Sequence, residues 1–128
     1  MTNAELIDRA RQAQNLSYSP YSRFRVGAAL LCRNGMVFEG ANVENSSYGL
    51  TVCAERIAVF KAVTAGEKDF AAVAIAGDGP GFTYPCGACL QVLAEFSPGI
   101  KVIVTDENNN YHELTLKDLL PQAFGLQK

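Results

Sequence analysis

The stretch CAERIAVFKAVTAGEKDFAAVAIAG, residues 53–77, contains a helix pattern followed by a strand pattern. Apolar residues follow Cys53 at helical spacing, and Gly66 supplies a common helix end. The run Ala71 to Ala76 is short, continuous and apolar, which is typical of a strand buried on both faces. Because a helix and a buried strand in succession indicate a layered architecture, this stretch predicts a sheet covered by helices.

The same alternation continues downstream. The sequence predicts a helix over Cys86 to Phe96 and another buried strand over Ile100 to Thr105. A last strand over Tyr111 to Thr115 and a short helix over Leu116 to Leu120 follow. The C-terminal half therefore contributes further strands to the same predicted sheet.

The N-terminal part predicts a helix and a hairpin. A capping-box pattern predicts a first helix that ends near Gln14. Strands are predicted over Phe24 to Cys32 and over Met36 to Asn42, and Asn34-Gly35 between them is the signal of a two-residue hairpin loop. Helices and strands in this order predict an α/β fold with three α/β/α layers around a single mixed five-stranded sheet.

Composition limits the classes of function. Of the 128 residues, 48% are hydrophobic and 19% are charged, so one domain over residues 1–128 with its own core is expected. The net charge is −2 and no basic run occurs, which argues against a nucleic-acid partner. No apolar stretch reaches the roughly 18 residues of a membrane span, and the N-terminus lacks the pattern of a signal peptide. A cytoplasmic location is expected, where cysteines serve metal or redox chemistry more often than disulfides.

Three cysteines stand where the pattern places helix starts. Cys53 begins one predicted helix, and Cys86 and Cys89 are three residues apart in the first turn of another. Free N–H groups and the positive end of the helix dipole favour thiolates there. If the two helix starts meet, three thiolates occupy three corners of a zinc tetrahedron and leave the fourth open, as a catalytic zinc requires. Glu55 then stands near the open corner, where a carboxylate can move protons.

The net negative charge of a zinc ion bound by three thiolates must be partly balanced by a nearby positive charge. Three thiolates outweigh the two positive charges of Zn²⁺, and a net negative site is a poor Lewis acid. Arg56, beside Glu55, is the fixed cation that we expect to donate hydrogen bonds to thiolate sulfur and so tune the metal. A surface salt bridge is the alternative role for this arginine.

The residues alone leave other uses of the cysteines open. Cys86 and Cys89 have the C-x-x-C spacing of a thioredoxin-like redox pair. They could also belong to a four-ligand structural zinc site with Cys32, although Cys32 ends a predicted strand and is expected in the core. His112, the single histidine, stands beside a polar turn and is expected to be solvated. A non-catalytic zinc or redox module that binds a partner is therefore the alternative to an enzyme.

Several segments carry a family resemblance. They are Asn42-Val43-Glu44, Cys53-Ala54-Glu55-Arg56, Pro85-Cys86-Gly87-Ala88-Cys89 and the stretch Ser19 to Ala29. Together they resemble the zinc-dependent cytidine deaminases, in the small single-domain type whose zinc is held by three cysteines. The resemblance covers nearly the whole chain, from about Ala4 to Phe124. It implies hydrolysis of cytidine or deoxycytidine to the uracil nucleoside and ammonia, within pyrimidine salvage.

The resemblance also implies roles for particular residues. Cys53, Cys86 and Cys89 would hold one Zn²⁺ per chain, and Glu55 would shuttle protons. The residues implied to contact the nucleoside are Phe24, Asn42, Val43, Glu44, Ala54 and Tyr84. Among them, the Phe24 ring would pack against the nucleoside, and Asn42 and Glu44 would hold ribose hydroxyls. Backbone groups of Ala54 and Tyr84 would bind the pyrimidine edge and the amino group.

The family resemblance further implies a homotetramer whose active sites are completed by neighbouring subunits. Tyr48 and Phe124 match positions that reach across between subunits. The Glu44 carboxylate adds an inference about the substrate, because it would repel a nearby phosphate and no Lys or Arg cluster accompanies it. We therefore expect a free pyrimidine nucleoside as the substrate. Another aminated heterocycle, such as a nucleoside antibiotic, is the alternative within the same fold.

Overall fold

The computed structural model describes residues 1–128 and contains five strands, four helices and two short 3₁₀ turns. The strands are β1 (Val26–Cys32), β2 (Val37–Ala41), β3 (Phe70–Gly77), β4 (Lys101–Thr105) and β5 (Tyr111–Thr115). The helices are α1 (Asn3–Ala13), α2 (Ala54–Thr64), α3 (Gly87–Phe96) and α4 (Leu116–Leu119). The 3₁₀ turns are Gln14–Leu16 and Tyr48–Leu50. None of the helices combines the length and apolar character that crossing a membrane requires.

All five strands form one mixed sheet in the order β2-β1-β3-β4-β5. The pairs β1–β2, β1–β3 and β4–β5 are antiparallel, whereas β3 and β4 are parallel and joined through α3. This arrangement confirms the predicted single mixed five-stranded sheet.

Two apolar clusters cover the two faces of the sheet. On one face, α1 packs through Leu6, Ile7 and Ala10 against small residues of β1 and β3. On the other face, α2, α3 and α4 pack against the larger cluster, which includes Val73 and Ile75. Consecutive residues of β3 are buried because helices cover both sides of that strand, as its continuous apolar sequence predicted. The three-layer α/β/α prediction is therefore confirmed.

Two details at the β1–β2 hairpin differ from the prediction. The loop has three residues, because the N–H of Cys32 donates to the carbonyl of Met36 at 2.8 Å and Gly35 lies between them at φ +94°. A turn closed by a glycine in the left-handed region is the usual form of a three-residue loop, so the expected two-residue loop was wrong. In addition, β1 begins at Val26 and not at Phe24, because the N–H groups of Phe24 and Arg25 donate to the side chains of Ser22 and Asp78 and not to a neighbouring strand.

The contact between α1 and β1 allows a stability prediction at Gly27. A Cβ atom at this position would lie 2.0 Å from the carbonyl oxygen of Ala10 and 2.4 Å from the backbone nitrogen of Gln14. We expect Gly27→Ala to lower the free energy of unfolding by roughly 1–3 kcal/mol or more, because the helix must move off the sheet. Denaturant unfolding measures this change. Gly99→Ala is the matched control, because no atom lies within 4 Å of a Cβ atom added there. An equal loss of unfolding free energy in both variants would contradict the explanation.

Candidate metal centre

Three thiols meet where two helices begin. Cys53 is the N-cap residue of α2, Cys86 is the N-cap residue of α3, and Cys89 lies in the first turn of α3. The Sγ atoms of Cys53 and Cys86 are 3.8 Å apart, and those of Cys86 and Cys89 are 3.5 Å apart. All three Sγ atoms lie within 4.8 Å of one another. The structure therefore brings together all three cysteines that the sequence singled out.

This spacing fits a zinc ion. Zinc binds cysteine sulfur at about 2.3 Å in a tetrahedron, which places the sulfur atoms about 3.8 Å apart. The observed Sγ separations of 3.8 and 3.5 Å match that edge length. Only three protein sulfur atoms form the cluster, because Cys32 is buried in the core beside β3 and is absent from the group. The four-ligand alternative that included Cys32 is therefore wrong.

The three thiols shift one another's pKa values. A hydrogen bond from Cys89, followed by hydrogen bonds from Arg56 and Cys86, lowers the pKa of the Cys53 thiol to about 5. The same contact with Cys53, together with burial, raises the pKa of the Cys89 thiol. Neighbouring thiolates repel each other, so a second thiolate needs a positive charge at the centre of the cluster. A divalent cation supplies that charge, which is further support for a metal site.

Arg56 faces the thiols. Its Nη2 donates to Sγ of Cys53 at 3.4 Å, and contacts with Cys53 and Cys89 raise the pKa of the guanidinium. Its Nε is buried without a hydrogen-bond partner. No carboxylate pairs with this arginine, so the surface salt bridge considered from the sequence does not occur. Its charge offsets part of the negative charge of the thiolates.

Glu55 is a carboxyl group buried beside the thiols. It lies in the first turn of α2 with 3% of its surface exposed. Burial raises the pKa of Glu55 to about 7, and the nearby Cys53 adds to the increase, whereas its own backbone N–H and the Cys89 thiol oppose it. A carboxyl group with this pKa can both accept and release a proton near neutral pH.

A cavity of about 140 Å³ opens onto the thiols. Of the residues considered from the sequence, those that line it are Asn42, Cys53, Ala54, Glu55, Tyr84 and Cys86. A second cavity of about 400 Å³ adjoins it at Thr51 and is lined by Glu44 and Tyr48 among others. Thr51 lines both cavities, so the two lie next to each other. Thr51 belongs to none of the motifs recognised in the sequence.

Asn42 is held from three sides. Its Oδ1 accepts hydrogen bonds from the N–H of Val26 at 2.9 Å and from the hydroxyl of Ser17, and its Nδ2 donates to the carbonyl of Phe24 at 2.9 Å. An amide oxygen has two lone pairs and the amide nitrogen two hydrogens, so a single N–H of Asn42 remains free. Asn42 can therefore meet a ligand only as a donor.

Two other residues predicted to contact the nucleoside, Val43 and Phe24, do not line the cavity at the thiols. Strand alternation directs the Val43 side chain into a separate groove with Leu16 and Ile57, so the structure does not bring it to the cavity at the thiols. The Phe24 ring lies over Gly77 beside Thr83, which does line that cavity.

The remaining aromatic and histidine side chains lie outside the thiol cluster. Tyr48 is 76% exposed and packs edge-to-face on Tyr21, with ring centroids 6.1 Å apart. Phe124 is 70% exposed and lies in a groove beside α3 and α4, where its carbonyl accepts a hydrogen bond from Gln91. His112 is exposed on β5 and packs on Phe82, so it is no part of the metal centre.

Comparisons with known proteins found related sequences and similar structures. The model of the cytidine and deoxycytidylate deaminase zinc-binding region matches residues 1–106. A cytidine deaminase from Halalkalibacterium halodurans is 50% identical over 97% of this chain and 95% of its own length. The crystal structure of cytidine deaminase from Burkholderia pseudomallei superposes with a TM-score of 0.93 at 47% identity, over 97% of this chain and 100% of that one. The structure from Mycobacterium tuberculosis gives 0.85 at 40% identity, over 98% of this chain and 100% of that one.

Proposed function

The chain belongs to the cytidine and deoxycytidylate deaminase zinc-binding family, and on this basis we propose its function in full. It is a zinc hydrolase, with one zinc ion per chain, that deaminates cytidine to uridine and ammonia. The proposal extends this activity to 2′-deoxycytidine, to a role in pyrimidine salvage and to a cytoplasmic enzyme formed by one domain over residues 1–128. The observation that carries it is the buried Glu55 carboxyl beside three clustered thiols.

We assign the zinc to Cys53, Cys86 and Cys89, whose sulfur spacing fits its tetrahedron. Zinc held by three protein ligands acts as a Lewis acid and lowers the pKa of a water molecule to about 7. Arg56 donates to Cys53 and would limit the electron density that the thiolates pass to a bound zinc ion. The N-termini of α2 and α3 add their partial positive charge at the same place.

Glu55 carries the protons of the reaction. Its carboxylate takes a proton from the attacking water and delivers it to N3 of the pyrimidine, which makes C4 electrophilic. After water oxygen has bonded to C4, the same carboxyl moves a proton from the new hydroxyl to the amino group. The C4–N bond then breaks and ammonia leaves. A pKa of about 7 suits a group that acts as base and acid in turn.

Backbone groups at the cavity recognise the pyrimidine. Ala54 is the first residue of α2, so its N–H has no carbonyl partner within the helix and can donate to the pyrimidine edge. The carbonyl of Tyr84 can accept from the amino group on the other side of the cavity. The Phe24 ring, beside Thr83 at the rim, supplies an apolar surface for the nucleoside.

The ribose is assigned to the larger cavity. Glu44 in that cavity offers an acceptor to the ribose hydroxyls, and Asn42 offers its one free N–H from the adjoining cavity at the thiols. Val43 lies between them in the chain and places its side chain on the opposite face, so its contribution is to hold its neighbours in this orientation. The backbone of Val43 supports this role, since its N–H and carbonyl both pair with Val52.

We also propose a homotetramer in which Tyr48 and Phe124 reach neighbouring subunits. Both side chains are more than two-thirds exposed in the single chain, at 76% and 70%. Leu16 and Leu50 are exposed to a similar extent, at 78% and 66%. Large apolar side chains at such exposure support burial against other subunits.

Ammonia release and the loss of substrate absorbance test this function. We expect turnover of cytidine and of 2′-deoxycytidine, and a kcat/KM for cytidine 5′-monophosphate that is lower by about tenfold or more. The physical reason is repulsion between the phosphate and Glu44, while Arg25 in the neighbouring loop is already paired with Asp78 at 2.9 Å.

The outcomes separate the parts of the proposal. Zinc-loaded protein that releases no ammonia from any pyrimidine nucleoside would exclude the deaminase function and favour a binding module. Equal kcat/KM for cytidine and its monophosphate would contradict the preference for a free nucleoside alone.

A further inference from the structure

Ser22 contacts the Glu44 carboxylate through both its backbone and its side chain. The N–H groups of Tyr21 and Ser22 donate to Oε1 of Glu44 at 3.0 and 3.1 Å. The Ser22 hydroxyl donates to Oε2 of the same carboxylate. These contacts lower the pKa of Glu44, with the Ser22 side chain as the largest cause. The loop that carries Ser22 therefore donates hydrogen bonds to both carboxylate oxygens of Glu44.

The contacts limit how Glu44 can meet a ligand. Each carboxylate oxygen has about two lone-pair sites. Both sites of Oε1 are used by backbone N–H groups, and one site of Oε2 is used by the Ser22 hydroxyl. A single site on Oε2 therefore remains, and its direction depends on the bond from Ser22. Without the hydroxyl, the carboxylate keeps its two backbone bonds at Oε1, but Oε2 has no protein partner.

The Ser22 hydroxyl is itself held in place. Its oxygen accepts a hydrogen bond from the N–H of Phe24 at 3.0 Å. This return of the chain is possible because Arg23 has φ +58°, in the left-handed region. Phe24 uses one of the two acceptor sites of the hydroxyl oxygen, and the hydroxyl hydrogen is donated to Glu44. Ser22 and Glu44 both line the cavity of about 400 Å³ assigned to the ribose.

We propose that Ser22 is a positioning residue for sugar recognition, because its hydroxyl directs the one free acceptor site of Glu44 toward a ribose hydroxyl. This inference rests on the proposed nucleoside function and deepens it. Ser22 acts through Glu44 and not on the pyrimidine, so it affects the binding of the sugar and leaves the chemistry at C4 unchanged.

Steady-state kinetics of Ser22→Ala with cytidine test the proposal. We expect KM to rise about tenfold or more, from the lower end of what one hydrogen bond to a charged group contributes upward, and kcat to stay near the wild-type value. Ser22→Thr keeps a hydroxyl and should retain the wild-type KM. Of 2′-deoxycytidine and 3′-deoxycytidine, one lacks the ribose hydroxyl that contacts Glu44. The selectivity of Ser22→Ala for cytidine over that nucleoside should also fall. A general loosening of the fold would instead lower the kcat/KM values of all three nucleosides alike.

A double-mutant cycle with Glu44→Gln tests whether the effect of Ser22 on KM is transmitted through Glu44. If Ser22 acts through Glu44, Ser22→Ala should change KM much less in the Glu44→Gln background than in the wild type. Full additivity of the two substitutions, an unchanged KM in Ser22→Ala, or an equal loss for all three nucleosides would overturn the proposal. Ser46→Ala, a substitution on an exposed serine near the same cavity with no side-chain hydrogen bond, should leave KM unchanged. Absence of ammonia release by the wild type would instead refute the underlying function.

Discussion

Glu55→Gln is expected to lower the turnover of cytidine by at least about 10²-fold, the lower end of what a positioned proton carrier contributes. Glutamine keeps the shape of the side chain and can fill its place at 3% exposure, but it cannot take up or release a proton. Because Glu55 lies beside the sulfur cluster and is not one of its three members, zinc should stay bound at one ion per chain. The measurements are kcat from the absorbance of cytidine and zinc content from metal analysis.

Stability and a control substitution complete this experiment. Burial raises the pKa of Glu55, so the folded protein disfavours the charged carboxylate, and a neutral glutamine should not lower the free energy of unfolding. Glu95→Gln makes the same substitution on the exposed surface of α3 and should leave turnover unchanged. Near-normal turnover by zinc-loaded Glu55→Gln would remove Glu55 from the mechanism.

Cys89→Ala is expected to have the second large effect, through loss of the metal. Cys89 is fully buried and its Sγ lies 3.5 Å from Sγ of Cys86, so removing its sulfur leaves two members of the cluster. Loss of a direct ligand should weaken zinc binding by more than the roughly 10–100-fold that loss of an outer contact costs. Turnover should fall in proportion to the zinc that is lost.

Cys32→Ala is the matched control for this variant. Cys32 is also a buried cysteine, at 1% exposure, but it packs in the core and lies outside the cluster. It should therefore retain one zinc per chain, even if its stability falls. A chelator should inactivate wild type and Cys32→Ala alike, and added zinc should restore both. Full zinc content in Cys89→Ala, or equal zinc loss in both variants, would refute the ligand assignment.

Much of the fold followed from local sequence signals. The buried strand β3 was predicted from its continuous apolar run, and the boundaries of α2 and α3 from their caps and stops, because these signals act within a few residues. The two misplaced boundaries lie beside Arg23 and Gly35, both of which have positive φ. Such residues set the path of a loop through their conformation, and a propensity pattern does not report it.

The candidate site was predictable only in part, for a related reason. The cysteine and glutamate motif predicted the side chains that we propose to carry the chemistry. It could not show that Asn42 has one free N–H left, since its partners Ser17, Phe24 and Val26 belong to other segments. Ser22 and Thr51 were missed because a serine or threonine in a loop has no distinctive spacing.

The sequence by itself determined the chemistry of this protein: three thiols, one carboxyl and one arginine at the starts of two helices. Only the tertiary structure decided that these groups meet, because Cys53 and Cys86 are 33 residues apart and are joined by the packing of α2 and α3 on one face of the sheet. It also brought the Ser22 hydroxyl onto the Glu44 carboxylate, although the two residues are 22 positions apart. Residue type fixes what a group can donate or accept, whereas its direction depends on hydrogen-bond partners that only the folded sheet brings within reach.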